Sequence, residues 1–147
     1  MHQNNLSNPS LGGFPRLRGV NLDGNDISAL DLVAPSLAET LEWISLNDAL
    51  VTDFSSLNGH PQLRYIWAER NNLALLSLEG LPKLHEIRIQ RSGVEQVQLT
   101  NLPDLFNIDL GGNRLTDLTA LSEFMTNQPT ANAVSYTHLT LPTICSV

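Results

Sequence analysis

Apolar residues recur along this chain in a pattern that repeats five times. Each copy carries apolar residues at its first, fourth, sixth and eleventh positions. The copies are LRGVNLDGNDI from Leu17, LEWISLNDALV from Leu41, LRYIWAERNNL from Leu63, LHEIRIQRSGV from Leu84 and LFNIDLGGNRL from Leu105. Their first residues are 24, 22, 21 and 21 positions apart. A spacing this regular predicts that one small structural unit is stacked several times.

Alternation inside each copy predicts a short strand, because neighbouring residues of a strand point to opposite faces. A single copy cannot bury its apolar side alone, so stacked copies form a continuous core and pair their strands in a parallel sheet. The third, fifth and seventh positions then point outward. The fourth and sixth positions point inward, and they are Val20, Leu22, Ile44, Leu46, Ile66, Ala68, Ile87, Ile89, Ile108 and Leu110.

The ninth position is asparagine in three copies, at Asn25, Asn71 and Asn113. We expect these side chains to turn inward and to bond backbone groups of the turn, since a buried amide is tolerated only when its hydrogen bonds are satisfied. Ala49 and Ser92 occupy the same position in the other two copies. Looser turns are expected there.

Over residues 14–124 this pattern resembles that of leucine-rich repeat proteins. The second halves at 73–83 and 94–104 mirror the first halves, as in the short bacterial class named IRREKO. The second halves at 51–63 and 115–124 place apolar residues every third position and resemble internalin-type repeats. The resemblance implies an α/β-type solenoid, a curved array with a parallel β-sheet on its concave face and short 3₁₀ or extended segments on its convex face. Extra residues at 33–39 predict a short helical turn on the convex side.

The ends of the chain differ from the repeats. Residues 1–13 are polar and predict a partial N-terminal cap, and residues 125–132 read as the start of a further repeat or a linker. Residues 133–147 contain no Asp, Glu, Lys or Arg and resemble a translated linker or adapter read, so we exclude them from fold reasoning. The alternative that they form a genuine apolar strand stays open. We expect the five repeats to be part of a longer array.

Aromatic residues fall on the outward positions of adjacent repeats. Trp43 and Tyr65 share the third position, and Trp67 occupies the fifth. Clustered outward Trp and Tyr are typical of binding hot spots, although cross-strand packing would also explain them. The predicted partner-binding residues are Trp43, Asn47, Tyr65, Trp67, Glu69, Glu86, Arg88 and Asp109.

Charge and hydropathy exclude several kinds of partner. The net charge is −7 and no basic run is present, which disfavours nucleic acid and anionic membranes. No apolar stretch is long enough to cross a bilayer, and the polar start lacks the centre of a secretory signal. The cytoplasm is therefore favoured, unless the natural N-terminus lies further upstream.

Chemistry-bearing motifs are weak. His85 and Glu86 begin a zinc-protease pattern, but Ile89 replaces its second histidine. We expect His60 to be a solvated loop residue, and the acidic side chains of Asp23, Asp48 and Glu69 to form a solvated face rather than a cation site. No metal, cofactor or catalytic residue is expected.

The predicted function is non-catalytic recognition of a protein or peptide on the concave face, as the resemblance to bacterial leucine-rich repeat proteins implies. Two alternatives remain. The repeats could be the substrate-recognition part of a larger enzyme, such as a bacterial effector ligase. They could also belong to a surface adhesin that stacks sugars on Trp and Tyr.

Overall fold

The repeated segments fold into a parallel β-solenoid. The computed structural model describes residues 6–7, 9–11, 13–28 and 39–127. The strands in this part are β1 (Gly19–Asn21), β2 (Trp43–Ser45), β3 (Tyr65–Trp67), β4 (Leu75–Glu79), β5 (Glu86–Arg88), β6 (Gln96–Thr100) and β7 (Asn107–Asp109).

One strand from each repeat enters a five-stranded parallel sheet with the order β1-β2-β3-β5-β7. The register pairs equivalent repeat positions, so that Val20 lies opposite Ile44, Ile44 opposite Ile66, Ile66 opposite Ile87 and Ile87 opposite Ile108. Each strand of this sheet is three residues long and covers the third to fifth positions of its repeat. Third and fifth positions of all five repeats therefore lie in two rows on the outer face of this sheet.

The core follows the predicted inward positions. Nine of the ten residues are buried, and Val20, in the first coil, is half-buried against the same cluster. Burying one such aliphatic side chain contributes about 1.5–3 kcal/mol. Because each coil covers its neighbours, the apolar residues form one cluster that runs the length of the array.

The other side of the solenoid is built from the second halves of the repeats. The two mirrored halves become β4 and β6, which pair in a two-stranded parallel sheet with Leu76 opposite Val97 and Leu78 opposite Leu99. The internalin-like half at 51–63 forms a 3₁₀ turn at Ser55–Leu57, as its apolar spacing predicts.

The second internalin-like half differs from its prediction. It forms an α-helix, α1 (Thr119–Thr126), where the spacing had indicated a 3₁₀ segment. Apolar residues at intervals of three fit both helix types, and here Leu121 is buried while Leu118 and Phe124 pack against the core. The Asp117 carboxylate accepts the backbone N–H of Thr119 at 2.8 Å and the hydroxyl of Thr119 at 2.6 Å, which forms a turn just before the helix.

The inward asparagines act as predicted. Asn71 accepts the N–H groups of Ala49 and Val51 at 3.3 and 2.9 Å, and it donates to the carbonyls of Leu46 and Glu69 at 2.8 and 3.3 Å. Asn113 and Asn25 bond backbone groups in the same manner. Each amide thus joins its own turn to a neighbouring segment of chain.

The turns at Ala49 and Ser92 differ from those with asparagine, because their tenth-position residues, Leu50 and Gly93, have positive φ of 60° and 76° and the asparagine-containing turns have no positive φ there. The eighth-position residues Asp48 and Arg91 have φ of 54° and 52°, close to the 54° of Arg70. The Ser92 hydroxyl replaces the amide, since it donates to the carbonyl of Ala68 at 2.9 Å and accepts the N–H of Asn71 at 3.2 Å. The turn at Ala49 is instead held by the side-chain amide of Asn71 in the following coil.

Several sequence predictions fall outside the described residues. They are the tail at 133–147, residues 128–132 of the predicted further repeat or linker, residues 33–38 of the predicted helical turn, and residues 1–5, 8 and 12 of the predicted N-terminal cap. Within the described ranges, no helix combines the length and apolar character that a bilayer span needs.

Candidate functional site

Three aromatic side chains form a contiguous cluster on the outer face of the five-stranded sheet. Trp43, Tyr65 and Trp67, hereafter the aromatic cluster, lie on β2 and β3. The Trp67 ring is central, with its centroid 5.9 Å from that of Trp43 and 5.8 Å from that of Tyr65. These distances are typical of favourable aromatic pairs. All three side chains are half-buried, so the rings pack on one another and still present area to solvent.

A glycine creates room for one of these rings. Gly19 is paired with Trp43 across β1 and β2, and a methyl group added at Gly19 would overlap the six-membered ring and Nε1 of Trp43. The indole of Trp43 therefore lies over the backbone of β1. Gly19 is therefore needed to make room for Trp43, which the alignment of the repeats alone did not reveal.

Glu86 fixes the orientation of Trp67. Its Oε1 accepts the indole N–H of Trp67 at 2.9 Å and lies 2.9 Å from Nε of Arg88, and its Oε2 accepts Nδ2 of Asn107 at 2.9 Å. Only 13% of the Glu86 side chain is exposed. Three donors on three strands therefore hold this carboxylate, and its bond to the indole limits the rotation of Trp67.

The row of rings extends beyond the predicted cluster. His85 contacts Tyr65 with centroids 6.2 Å apart, and Phe106 meets His85 edge-on at 5.7 Å. Both residues occupy the second repeat position, just before their strands, and 44% of Phe106 is exposed. The sequence analysis missed them because it counted only the third, fifth and seventh positions as outward. Comparing the second-position column would have shown aromatic rings in adjacent repeats.

Two seventh-position side chains, Asp23 and Asn47, form hydrogen bonds along the array. The Asn47 amide oxygen accepts the N–H of Glu69 at 2.8 Å, and Oδ1 of Asp23 accepts the N–H of Asn47 at 2.8 Å. Asp23 also accepts the Ser45 hydroxyl at 2.7 Å. Asn47, predicted as a contact residue, is thus largely occupied by hydrogen bonds to neighbouring coils.

Asp109 is partly engaged in the same way. Its Oδ2 accepts a hydrogen bond from Nε2 of Gln90 at 2.5 Å, and its Oδ1 accepts the N–H of Gly111 at 3.0 Å.

All eight predicted residues lie on one face of the sheet, but two predicted outward positions, Ser45 and Gly111, are buried.

Charged residues lie just beyond the carboxyl ends of the strands. Arg70 donates from Nε and Nη2 to both oxygens of Asp48 at 2.7 and 2.6 Å, and its Nη1 lies 3.2 Å from Glu69 Oε2. The hydrogen bonds from Arg70 lower the pKa of Asp48. Asp23, Asp48 and Glu69 are therefore bound by internal donors. In the described part of the chain, no group of three or more His, Cys, Asp or Glu side chains is placed to hold a metal ion.

The position of His60 contradicts its prediction as a solvated residue. Its exposed fraction is 3%, and no hydrogen bond of normal geometry reaches either ring nitrogen from the described residues, although backbone groups of Leu57 and Asn58 lie close to the ring and partly oppose the effect of burial on its pKa. Burial lowers the pKa of this imidazole, since the charged form loses its hydration. The repeat explains the burial, because His60 occupies the position held by the buried Leu81 and Leu102 in the next two coils.

Comparison of the chain with protein-family models, with curated proteins and with solved structures finds no match in any of the three. The geometry of the site itself therefore carries the functional argument.

Proposed function

We propose that this chain is a non-catalytic recognition protein of the leucine-rich repeat type, which binds a protein or peptide on the outer face of its five-stranded sheet. The observation that carries the proposal is the aromatic cluster, whose central ring is held by the bond from Trp67 to Glu86. In a leucine-rich repeat array this sheet lines the concave side.

An aromatic cluster of this kind suits binding for two reasons. Trp and Tyr offer large contact areas with only two side-chain rotations to restrict, and their polar atoms can also bond a partner. Here the rotation of Trp67 is already restricted in the free protein by Glu86. Less conformational entropy is then lost when a partner binds, which increases the affinity.

Substitution of Trp67 tests the proposal. The probe is a displayed library of random dodecapeptides, selected on the folded protein and then on the Trp67→Ala variant. We expect peptides that bind the unchanged protein and lose about 2 kcal/mol, or roughly 30-fold in Kd, on Trp67→Ala. Titration of a recovered peptide, followed by calorimetry, gives these constants.

Leu75→Ala is the matched control. Leu75 is a partly exposed apolar residue of β4, on the two-stranded sheet at the other side of the solenoid. Its replacement should leave peptide binding unchanged within twofold, and circular dichroism should show that both variants fold. If recovered peptides bind the Trp67→Ala protein as tightly as the unchanged one, the outer face is not the binding surface.

A further inference from the structure

Acidic residues outnumber basic ones at the outward positions of the five repeats, whereas the flanking second and eighth positions add Arg18, Arg64, Arg70 and Arg91 beside Glu42 and Asp48. Among the fifteen outward positions of the five repeats, Arg88 is the only basic residue, and the acidic residues are Asp23, Glu69, Glu86 and Asp109. The whole chain has the same sign, with a net charge of −7. At the outward positions themselves, the excess of carboxylates favours cations over anions.

Two of these carboxylates retain capacity to accept further hydrogen bonds. Ionised carboxylates offer about four acceptor sites. Asp23 and Glu86 are largely saturated, since each is held by several internal donors. Glu69 meets a single side-chain donor, Arg70, which is itself bound to Asp48 through two nitrogens. Asp109 accepts one bond on each oxygen.

Glu69 lies close to the aromatic cluster. It follows Trp67 by two residues and points to the same face, which places the two Cα atoms about 6.5–7 Å apart. Asp109 is two strands away from Trp67, across Arg88, at about 9.6 Å. Indole and phenol rings attract cations over their faces. A Lys or Arg side chain that lies along the rings can therefore reach a carboxylate with its charged end.

We propose that the partner of this face is a basic peptide segment, whose Lys or Arg side chains lie against the aromatic cluster and place their charges at Glu69 and at Asp109. This inference rests on the proposed function and narrows it to one chemical class of partner. The rings supply contact area and cation–π attraction, and the two carboxylates select for positive charge.

Sequencing of selected peptides tests the inference first. Dodecapeptides recovered from the random library on the unchanged protein, and not on Trp67→Ala, are compared with the unselected library. We expect the frequency of Lys and Arg to rise at least twofold, and that of Asp and Glu to fall. Recovery of Trp67-dependent peptides without this enrichment would overturn the basic partner and leave the binding face intact. Failure to recover any Trp67-dependent peptide would overturn both proposals.

Glu69→Gln then tests the carboxylate on one recovered basic peptide. We expect Kd to rise about three- to fivefold, as for loss of one exposed ion pair. The control Glu95→Gln removes the same charge from an exposed residue just before β6, on the other side of the solenoid. It should change Kd by less than twofold. Added salt should weaken binding by the unchanged protein more than binding by Glu69→Gln. Equal effects of the two substitutions would overturn the role of Glu69.

Discussion

His60 is a polar side chain in a position built for leucine. In the two following coils the same position holds Leu81 and Leu102, which are fully buried. The imidazole fills comparable space, but its two nitrogens have given up water and gain only interactions of poor geometry with backbone groups of Leu57 and Asn58. An unsatisfied buried polar group costs about 1–3 kcal/mol. The fold therefore contains a local loss of stability that one substitution can remove.

His60→Leu should stabilise the protein by about 1–3 kcal/mol at neutral pH. The substitution should also change how the free energy of unfolding depends on pH. The folded pKa of His60 is lowered from 6.5, so the unfolded chain takes up the proton first. The additional destabilisation that comes from protonation of His60 in the unfolded chain is small above pH 6.5 and grows as the pH falls below it. Urea unfolding at pH 7.5 and 5.0 should show a smaller loss in His60→Leu. An equal loss in both proteins would mean that His60 is not buried in solution.

Gly19→Ala tests the placement of Trp43. The substitution requires no unusual backbone, but its methyl group would occupy the space of the indole. We expect the ring to move away from β1, which changes the contact of Trp43 with Trp67 and the near-ultraviolet circular dichroism. The control is Gly13→Ala, where an added methyl meets no atom within 4 Å. An unchanged aromatic spectrum in Gly19→Ala would show that Trp43 lies elsewhere.

At the scale of elements, apolar periodicity correctly predicted the features that depend on the order of neighbouring residues. Inward positions, the parallel sheet and the two extended second halves all follow from apolar spacing, which is a property of consecutive residues. The helix α1 was mistaken for a 3₁₀ segment because Leu118 and Leu121 satisfy both periods. Only packing against the last coil distinguishes them. His60 was wrongly predicted to be solvated because its polarity was given more weight than its repeat position.

Turns between elements depend on side chains from neighbouring coils. The eighth position has positive φ in every repeat, at Gly24, Asp48, Arg70, Arg91 and Gly112. Only two of these residues are glycine, so the other three turns are strained and need support. The inward amide of Asn71 supplies part of it, with bonds to four backbone groups.

Asn71→Ala should therefore destabilise the protein by at least about 2 kcal/mol, because it leaves several partly buried backbone groups without partners. The control is the adjacent Asn72→Ala. Asn72 is exposed, so its replacement should cost less than about 0.5 kcal/mol. Chemical denaturation of both variants gives the comparison. Similar costs at the two positions would contradict a structural role for the inward amide.

At the scale of the whole molecule, the binding face depends on contacts that no single repeat contains. Trp67 is held by Glu86 from the next coil, and Glu86 is held by Asn107 from the coil after that. Repeat alignment placed these residues on one face, but it could not show which carboxylate bonds the indole. It also could not show that Asn47 is engaged by its neighbours. Side-chain hydrogen bonds between coils depend on rotamers, which the repeat pattern does not determine.

A central core substitution tests how far these coils depend on one another. Ile66→Ala removes packed methyl groups from β3 and should cost about 2–5 kcal/mol. Stacked repeats pass such damage to their nearest neighbours, so amide hydrogen exchange should accelerate in β2 and β5 as well as β3. Val20→Ala, at a half-buried position in the first coil, should cost about 1 kcal/mol and affect chiefly β1 and β2.

A near-neutral effect of Ile66→Ala would mean that the inside and outside of β3 are reversed, since a shift of one residue exchanges the faces of a strand. Trp67 would then be a core residue, and the proposed binding face would be excluded.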